Sequence, residues 1–138
     1  MKVLKFMPRL LIALVAGMAT TLAYAPFSIS ILGILSPAIL LVLWQENSPK
    51  KSALIGLFYG LGLFGTGTWW IYISVHEFGH LASPLAIIAT LILVSYEALF
   101  PALQGYFLSR LTCSSSALRS LVFFPCSWVL SEWLRSGL

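Results

Sequence analysis

Apolar residues in this chain gather into five long runs, over 10–25, 29–44, 53–75, 84–108 and 120–135, separated by short polar or turn-forming stretches. A helix rises about 1.5 Å per residue, so an apolar run of about 20 residues crosses a bilayer core about 30 Å thick. The pattern predicts an all-α fold: a polytopic transmembrane bundle of about five helices forming one domain over 1–138. Ser36-Pro37 interrupts the second run, which predicts a kinked or partly re-entrant helix there. Residues 45–52 and 76–83 read as polar connections, and 109–116 as a serine-rich one.

The first run admits two readings. Lys2, Lys5 and Arg9 before it and Ala23-Tyr24-Ala25 at its end fit a secretory signal peptide. Pro26 directly after that site, and a second apolar run almost at once, favour a retained first membrane helix.

Composition excludes a soluble domain. Hydrophobic residues make up 59% of the 138 and charged ones 9%, too few to cover a water-facing surface of this size. The net charge of +4 is no nucleic-acid footprint, because the bases sit in small groups between apolar runs. Lys2, Lys5 and Arg9 precede the first run, Lys50 and Lys51 lie in the second connection, and Arg110 and Arg119 flank the fourth. The first and third connections have none. Alternating basic connections place the N-terminus in the cytoplasm and the His76 loop outside, with Arg135 the sole base on the outer side.

The third run is rich in glycine. At helical spacing Gly56, Gly60 and Gly67 fall within about 40° of one another, while Gly62 and Gly65 lie opposite. Small residues on two faces predict a central helix approached closely from both sides. Trp69, Trp70 and Tyr72 end the run where an interfacial aromatic belt would lie.

Two strings mimic known sites. Gly60, Gly62 and Gly65 have dinucleotide-fingerprint spacing, but that site needs a preceding strand and an acid about 20 positions on. Here the nearest acid is Glu77, inside no such unit. His76-Glu77-Phe78-Gly79-His80 fits a zinc protease motif, with two histidines on one helix face and Glu77 as general base. It resembles the active-site segment of the intramembrane site-two proteases, whose third ligand is an Asp in a later Leu-Asp-Gly segment. This chain has no Asp, Glu97 and Glu132 stand in dissimilar contexts, and Pro84 limits any helix running on from His80. Cys113 and Cys126 lack metal-like spacing and read as small packing residues. Glu97 lies mid-run, where a carboxylate is costly. With no partner evident in sequence, it reads as a protonated acid bonded to a neighbouring helix. Glu132 and Arg135 are spaced to pair locally.

Several stretches together resemble the membrane domain of the apolipoprotein N-acyltransferases. These are Leu22-Ala-Tyr-Ala-Pro-Phe27, the glycine-rich segment 53–65, Trp70-Ile-Tyr-Ile-Ser74, Pro101-Ala-Leu, Leu108-Ser-Arg-Leu111 and Trp128-Val-Leu-Ser-Glu-Trp-Leu-Arg135. The family often reads HxFGG where this chain reads HEFGH, so the resemblance implies loop sequence and not a metal site. It also implies a usually neutral residue where Glu97 stands.

The resemblance implies an enzyme of the bacterial inner membrane that needs no cofactor. A cysteine thiolate takes an acyl chain from a phospholipid as a thioester, then passes it to the α-amino group of an apolipoprotein's diacylglyceryl-cysteine. In the family the catalytic Glu, Lys and Cys lie in a nitrilase-like domain that would follow. No residue here, Cys113 and Cys126 included, matches them. The expectation is therefore an N-terminal piece from a truncated or frame-shifted gene, inactive by itself. Trp69, Trp70, Tyr72 and His76 would face lipid head groups or the catalytic domain. Two other readings stay open: a zinc protease using His76 and His80, and a non-enzymatic membrane scaffold.

Overall fold

The computed structural model describes residues 6–24, 26–45, 47–111 and 118–137. Lys2, Lys5, Ala25 and Cys113 lie outside the described residues. All regular structure among the described residues is helical. The helices are α1 (Met7–Thr21), α2 (Ser30–Gln45), α3 (Pro49–Gly67), α4 (Trp69–Ile73), α5 (Ser83–Arg110) and α6 (Phe124–Gly137). Two π-helical turns, Ser74–Phe78 and Arg119–Phe123, follow α4 and precede α6.

Prolines start three of the helices. Pro8, Pro49 and Pro84 occupy the first turns of α1, α3 and α5, where a missing N–H costs nothing and the fixed φ suits helix entry. Pro37 lies inside α2 without ending it, and Pro101 lies inside α5.

The third run departs from the single helix expected over 53–75. It begins earlier, at Pro49, and breaks at Thr68, after which Trp69–Phe78 runs on at a 51° bend. The local cause is side-chain competition for carbonyls. Thr66 Oγ1 donates to Gly62 O (2.7 Å) and Thr68 Oγ1 to Phe64 O (2.5 Å), back-bonding of the kind that bends helices, in a stretch already weakened by Gly65 and Gly67. The expected loop after residue 75 is instead π-wound through Phe78. The last helix is likewise longer than 120–135, with its first turn π-wound.

Helix α3 packs most extensively against α5 and α1. The glycines set these distances. A Cβ on Gly56 would overlap the Pro101 carbonyl, and one on Gly60 would sit 2.7 Å from Ala98 Cα, both on α5. On the other side, a Cβ on Gly62 would overlap the Leu14 carbonyl of α1, and one on α1's Gly17 would overlap the Tyr59 carbonyl. Gly65 and Gly67 are looser, with nearest neighbours at 4.0 Å (Val94 of α5) and 3.9 Å (Thr21 of α1). Gly67 thus lies toward α1 and Gly65 toward α5, each across from the face that regular helical spacing gives it.

The core between α1, α2 and α3 is closed by three buried hydroxyls. Thr20 Oγ1 lies 2.6 Å from Ser36 Oγ and 2.9 Å from Tyr59 OH, and Ser36 Oγ donates to Ala16 O (2.5 Å). Each polar group is satisfied inside the bundle, as burial requires. The exterior is apolar: Ile34 is 74% exposed, Ile92 65% and Leu121 76%. Helix α5, with 28 residues, is long and apolar enough to cross a membrane, and only 28% of its apolar window is buried by the rest of the chain. The bent pair Pro49–Gly67 and Trp69–Phe78 meets the same test as a unit, while α1 and α2 are shorter apolar helices.

The close approaches make a sharp contrast testable. Gly56→Ala and Gly60→Ala should each destabilise the bundle by about 1–3 kcal/mol through overpacking, whereas Gly67→Ala should stay within about 0.5 kcal/mol. Thermal unfolding in detergent micelles, followed by tryptophan fluorescence, measures both; equal effects at all three positions would contradict the packing account.

Candidate functional site

The break at Thr68 matters because of what lies under it. A cavity of about 390 Å³ is bounded by Thr21 and Tyr24 at the end of α1, by Thr68 and Ile71 at the bend, by Glu97 on α5, and by Trp128, Glu132 and Arg135 on α6. Thr21 Oγ1 holds the bend to α1 through Thr66 Oγ1 (2.7 Å) and the Leu63 carbonyl (3.3 Å).

The neighbouring-helix partner that the sequence leaves unnamed for Glu97 is Arg135, and the contact is an ion pair. Arg135 donates from Nη1 to Glu97 Oε2 at 3.3 Å, across 38 residues of sequence, and from Nη2 to Glu132 Oε2 one turn back on its own helix. The guanidinium also lies over the Phe64 ring, 5.3 Å from its centroid. One arginine therefore ties α6 to α5 and α3 together. Glu97 retains 17% side-chain exposure and Arg135 30%, so the pair sits at a cavity wall and is neither fully buried nor free in solvent. Pro101 adds to the local polarity. It has no N–H to bond the Glu97 carbonyl four residues earlier, which leaves that group open to other donors.

Above the cavity, α4 carries the aromatic residues expected at an interface. Trp69 (63%) and Trp70 (62%) are exposed. Tyr72 lies between Trp69 and His76, with ring centroids 5.3 Å and 5.6 Å away, the latter pair stacked. His76, in the middle of the π-helical turn, is held by the segment that follows: Nδ1 lies 2.9 Å from Leu81 O, and Nε2 is 3.4 Å from Ser83 Oγ. Tyr72 and His76 thus form one stack with Trp69, and Ile71 beside them lines the cavity.

The helical geometry that an HExxH zinc site requires is not formed. Residues 74–78 are π-wound, Gly79 follows the last of them, and His80 stands beyond at φ 50°. Two histidines four apart share a face only on a continuous α-helix. No group of three His, Cys, Asp or Glu side chains with metal-site placement occurs among the described residues. Cys126 is exposed on α6, where it lines a second, apolar cavity of about 460 Å³ between α5 and α6.

The Glu97–Arg135 pair could have been suspected from sequence. A carboxylate within an apolar run needs a partner, and Arg135 is the one base standing apart from the basic groups. Losing the cation while keeping the acid should cost most. Arg135→Met should destabilise the bundle by about 1–3 kcal/mol, between the limits for exposed and fully buried pairs, and adding Glu97→Gln should restore part of that loss. A double-mutant cycle read by thermal unfolding checks this, and strict additivity would show that the two groups are not coupled.

Residues 16–138 match the family described as Apolipoprotein N-acyltransferase N-terminal domain. The chain is 40% identical over 132 residues to the apolipoprotein N-acyltransferase of Methylococcus capsulatus, covering 96% of this chain and 26% of that protein. It is 41% identical over 132 residues to the Nitrosomonas europaea enzyme (94% and 26%) and 42% identical over 130 residues to that of Coxiella burnetii (91% and 26%). The chain thus spans about a quarter of the length of these relatives. On this match it belongs to the apolipoprotein N-acyltransferase family, in the part that forms the family's N-terminal domain.

Proposed function

We propose that this chain is the membrane-embedded part of an apolipoprotein N-acyltransferase, which presents phospholipid and lipoprotein substrates to catalytic groups carried elsewhere in the full-length enzyme. The observation that carries the reading is the family match over residues 16–138 of a helical bundle with an apolar exterior. Both substrates hold their chains in the bilayer, so a domain whose outer surface is apolar and whose rim is aromatic meets them by lateral diffusion.

The same reading sets the domain in an inner membrane with the N-terminus in the cytoplasm. Its support is that the basic residues collect at one end of the bundle. Arg9 donates from Nη1 to Asn47 Oδ1 (3.2 Å), which joins the start of α1 to the α2–α3 connection. Lys51 lies over the Phe6 ring at 5.6 Å, and Arg110 ends α5. Tyr24, Trp69, Trp70 and His76 belong to the opposite end, beside the cavity. In this arrangement Trp69 and Trp70 meet head groups at the outer interface, and the cavity with Glu97 and Arg135 in its wall lies at the same end of the bundle. Acyl transfer itself, thioester formation followed by aminolysis, proceeds on a cysteine outside this chain, and the residues here act by binding and orienting.

A chimera tests the reading. This chain replaces the matching N-terminal quarter of the Coxiella burnetii relative, and N-acylation of a diacylglyceryl-cysteine lipopeptide is followed by mass spectrometry. The chimera should retain activity within about tenfold of its parent. Replacing Trp69 and Trp70 together by alanine should raise the KM for phospholipid more than it lowers kcat, as loss of ground-state contacts does. An inserted, folded chimera without acyl transfer would sink the proposal.

Sidedness has its own measurement. In a background carrying Cys113→Ser and Cys126→Ser, an impermeant maleimide should label His80→Cys in intact spheroplasts and Lys50→Cys only after lysis. Labelling of Lys50→Cys from outside would reverse the orientation.

A further inference from the structure

Among the described residues, two buried side-chain polar atoms have no protein partner: the indole Nε1–H of Trp44 and the hydroxyl of Ser109. They come from different helices, α2 and α5, yet line the same small cavity, together with Leu41, Gln45 and Leu108. Trp44 is only 3% exposed, so its donor cannot reach solvent by a side-chain adjustment. The ring is fixed on two sides. A Cβ on Gly105 would lie 2.7 Å from the indole, and Phe124 packs edge-on with ring centroids 5.9 Å apart. Neither contact offers the N–H an acceptor.

A buried donor without an acceptor loses the hydrogen bond that water would give it, and a buried hydroxyl left alone adds a penalty of its own. The cavity between them holds about 10 Å³, roughly the space for one water-sized sphere, the lower limit for hydrating a buried site. Gln45 supplies a third polar group at the wall, and its own amide nitrogen donates to Ser120 Oγ at 3.0 Å. A single water there would accept from Trp44 Nε1–H and hydrogen-bond with Ser109 Oγ, within reach of the two to four polar partners that buried waters use.

We propose that the cavity between α2 and α5 is a binding site for one structural water, which bridges Trp44 Nε1 to Ser109 Oγ. The site lies at the basic end of the bundle, where Arg110 follows Ser109, and is separate from the cavity beside Glu97. It makes the joint between the end of α2 and the end of α5 a hydrated polar contact inside an otherwise apolar interface. Beside it, the joint consists of apolar packing, including the close Gly105–Trp44 approach and the core contacts of Leu40, Leu41 and Leu108.

The test uses the full chain in lipid nanodiscs with ¹⁵N-labelled tryptophan. Of the five indole signals, Trp44's is assigned by its loss in Trp44→Phe. The wild-type Trp44 indole proton should give a direct cross-peak to a long-lived water. Ser109→Val, which fills the space with methyl groups, should abolish that cross-peak and slow the exchange of this indole while leaving the other four unchanged. Ser109→Thr, which keeps a hydroxyl, should retain it. A wild-type Trp44 signal with no water cross-peak would overturn the proposal, and that result needs no variant to fold. A cross-peak that persists unchanged in Ser109→Val would overturn it equally.

Discussion

The architecture depends on how closely the backbone of α3 approaches its two neighbours. Around Gly56 and Gly60 it lies against α5 at a distance no side chain would permit, and around Gly62 it does the same against α1, where Gly17 answers from the other side. In a bilayer, burial of apolar surface does little to favour helix association, because lipid is as apolar as leucine. Close backbone approach, with dispersion contacts along its whole length, supplies attraction that lipid cannot match. The order α1–α3–α5 follows from it, and so does the position of everything that hangs on those three helices.

The remaining helices are attached by side chains. Ser36 joins α2 to the core through hydroxyl hydrogen bonds with Thr20 and Tyr59. Helix α6 buries no residue completely. It is held by aromatic contacts, Trp128 to Tyr59 and Phe124 to Trp44, by Gln104 Nε2 donating to Ser127 Oγ at 2.8 Å, and by Arg135 on Glu97. Cavities of about 390 and 460 Å³ flank this helix, as expected where helices meet through long side chains instead of small residues. A tight three-helix unit thus carries a more loosely attached helix, and the cavity walled by Glu97 and Arg135 lies between the two.

The bend at Thr68 gives this cavity its upper boundary. An unbroken helix would carry Trp69 to His76 straight on from α3. The back-bonded threonines turn that segment through 51° and set Ile71 in the cavity wall with Tyr24, Glu97 and Arg135. A local break between α3 and α4 therefore shapes a site to which α1, α5 and α6 also contribute.

Much of the helical fold was legible in the sequence, because each apolar run reports its own length and polarity, and proline fixes helix starts by a local rule. The family was legible for the same reason, through strings such as the glycine-rich 53–65 segment. Other features could not be settled that way. Whether the third run is one helix or two depended on whether Thr66 and Thr68 bond back to carbonyls, and their side-chain conformations are chosen among neighbours. The HEFGH string looks identical to a metal motif until the backbone is seen to be π-wound at His76, with His80 outside the helix. The pairing of Glu97 with Arg135 spans 38 residues and exists only because α6 returns alongside α5. The sequence by itself determined which stretches are apolar and helical, how the basic residues group along the chain, and the family, since these are properties of neighbouring residues. The tertiary structure alone decided which acid meets which base and where the cavities lie, because such contacts form only between segments brought together by packing.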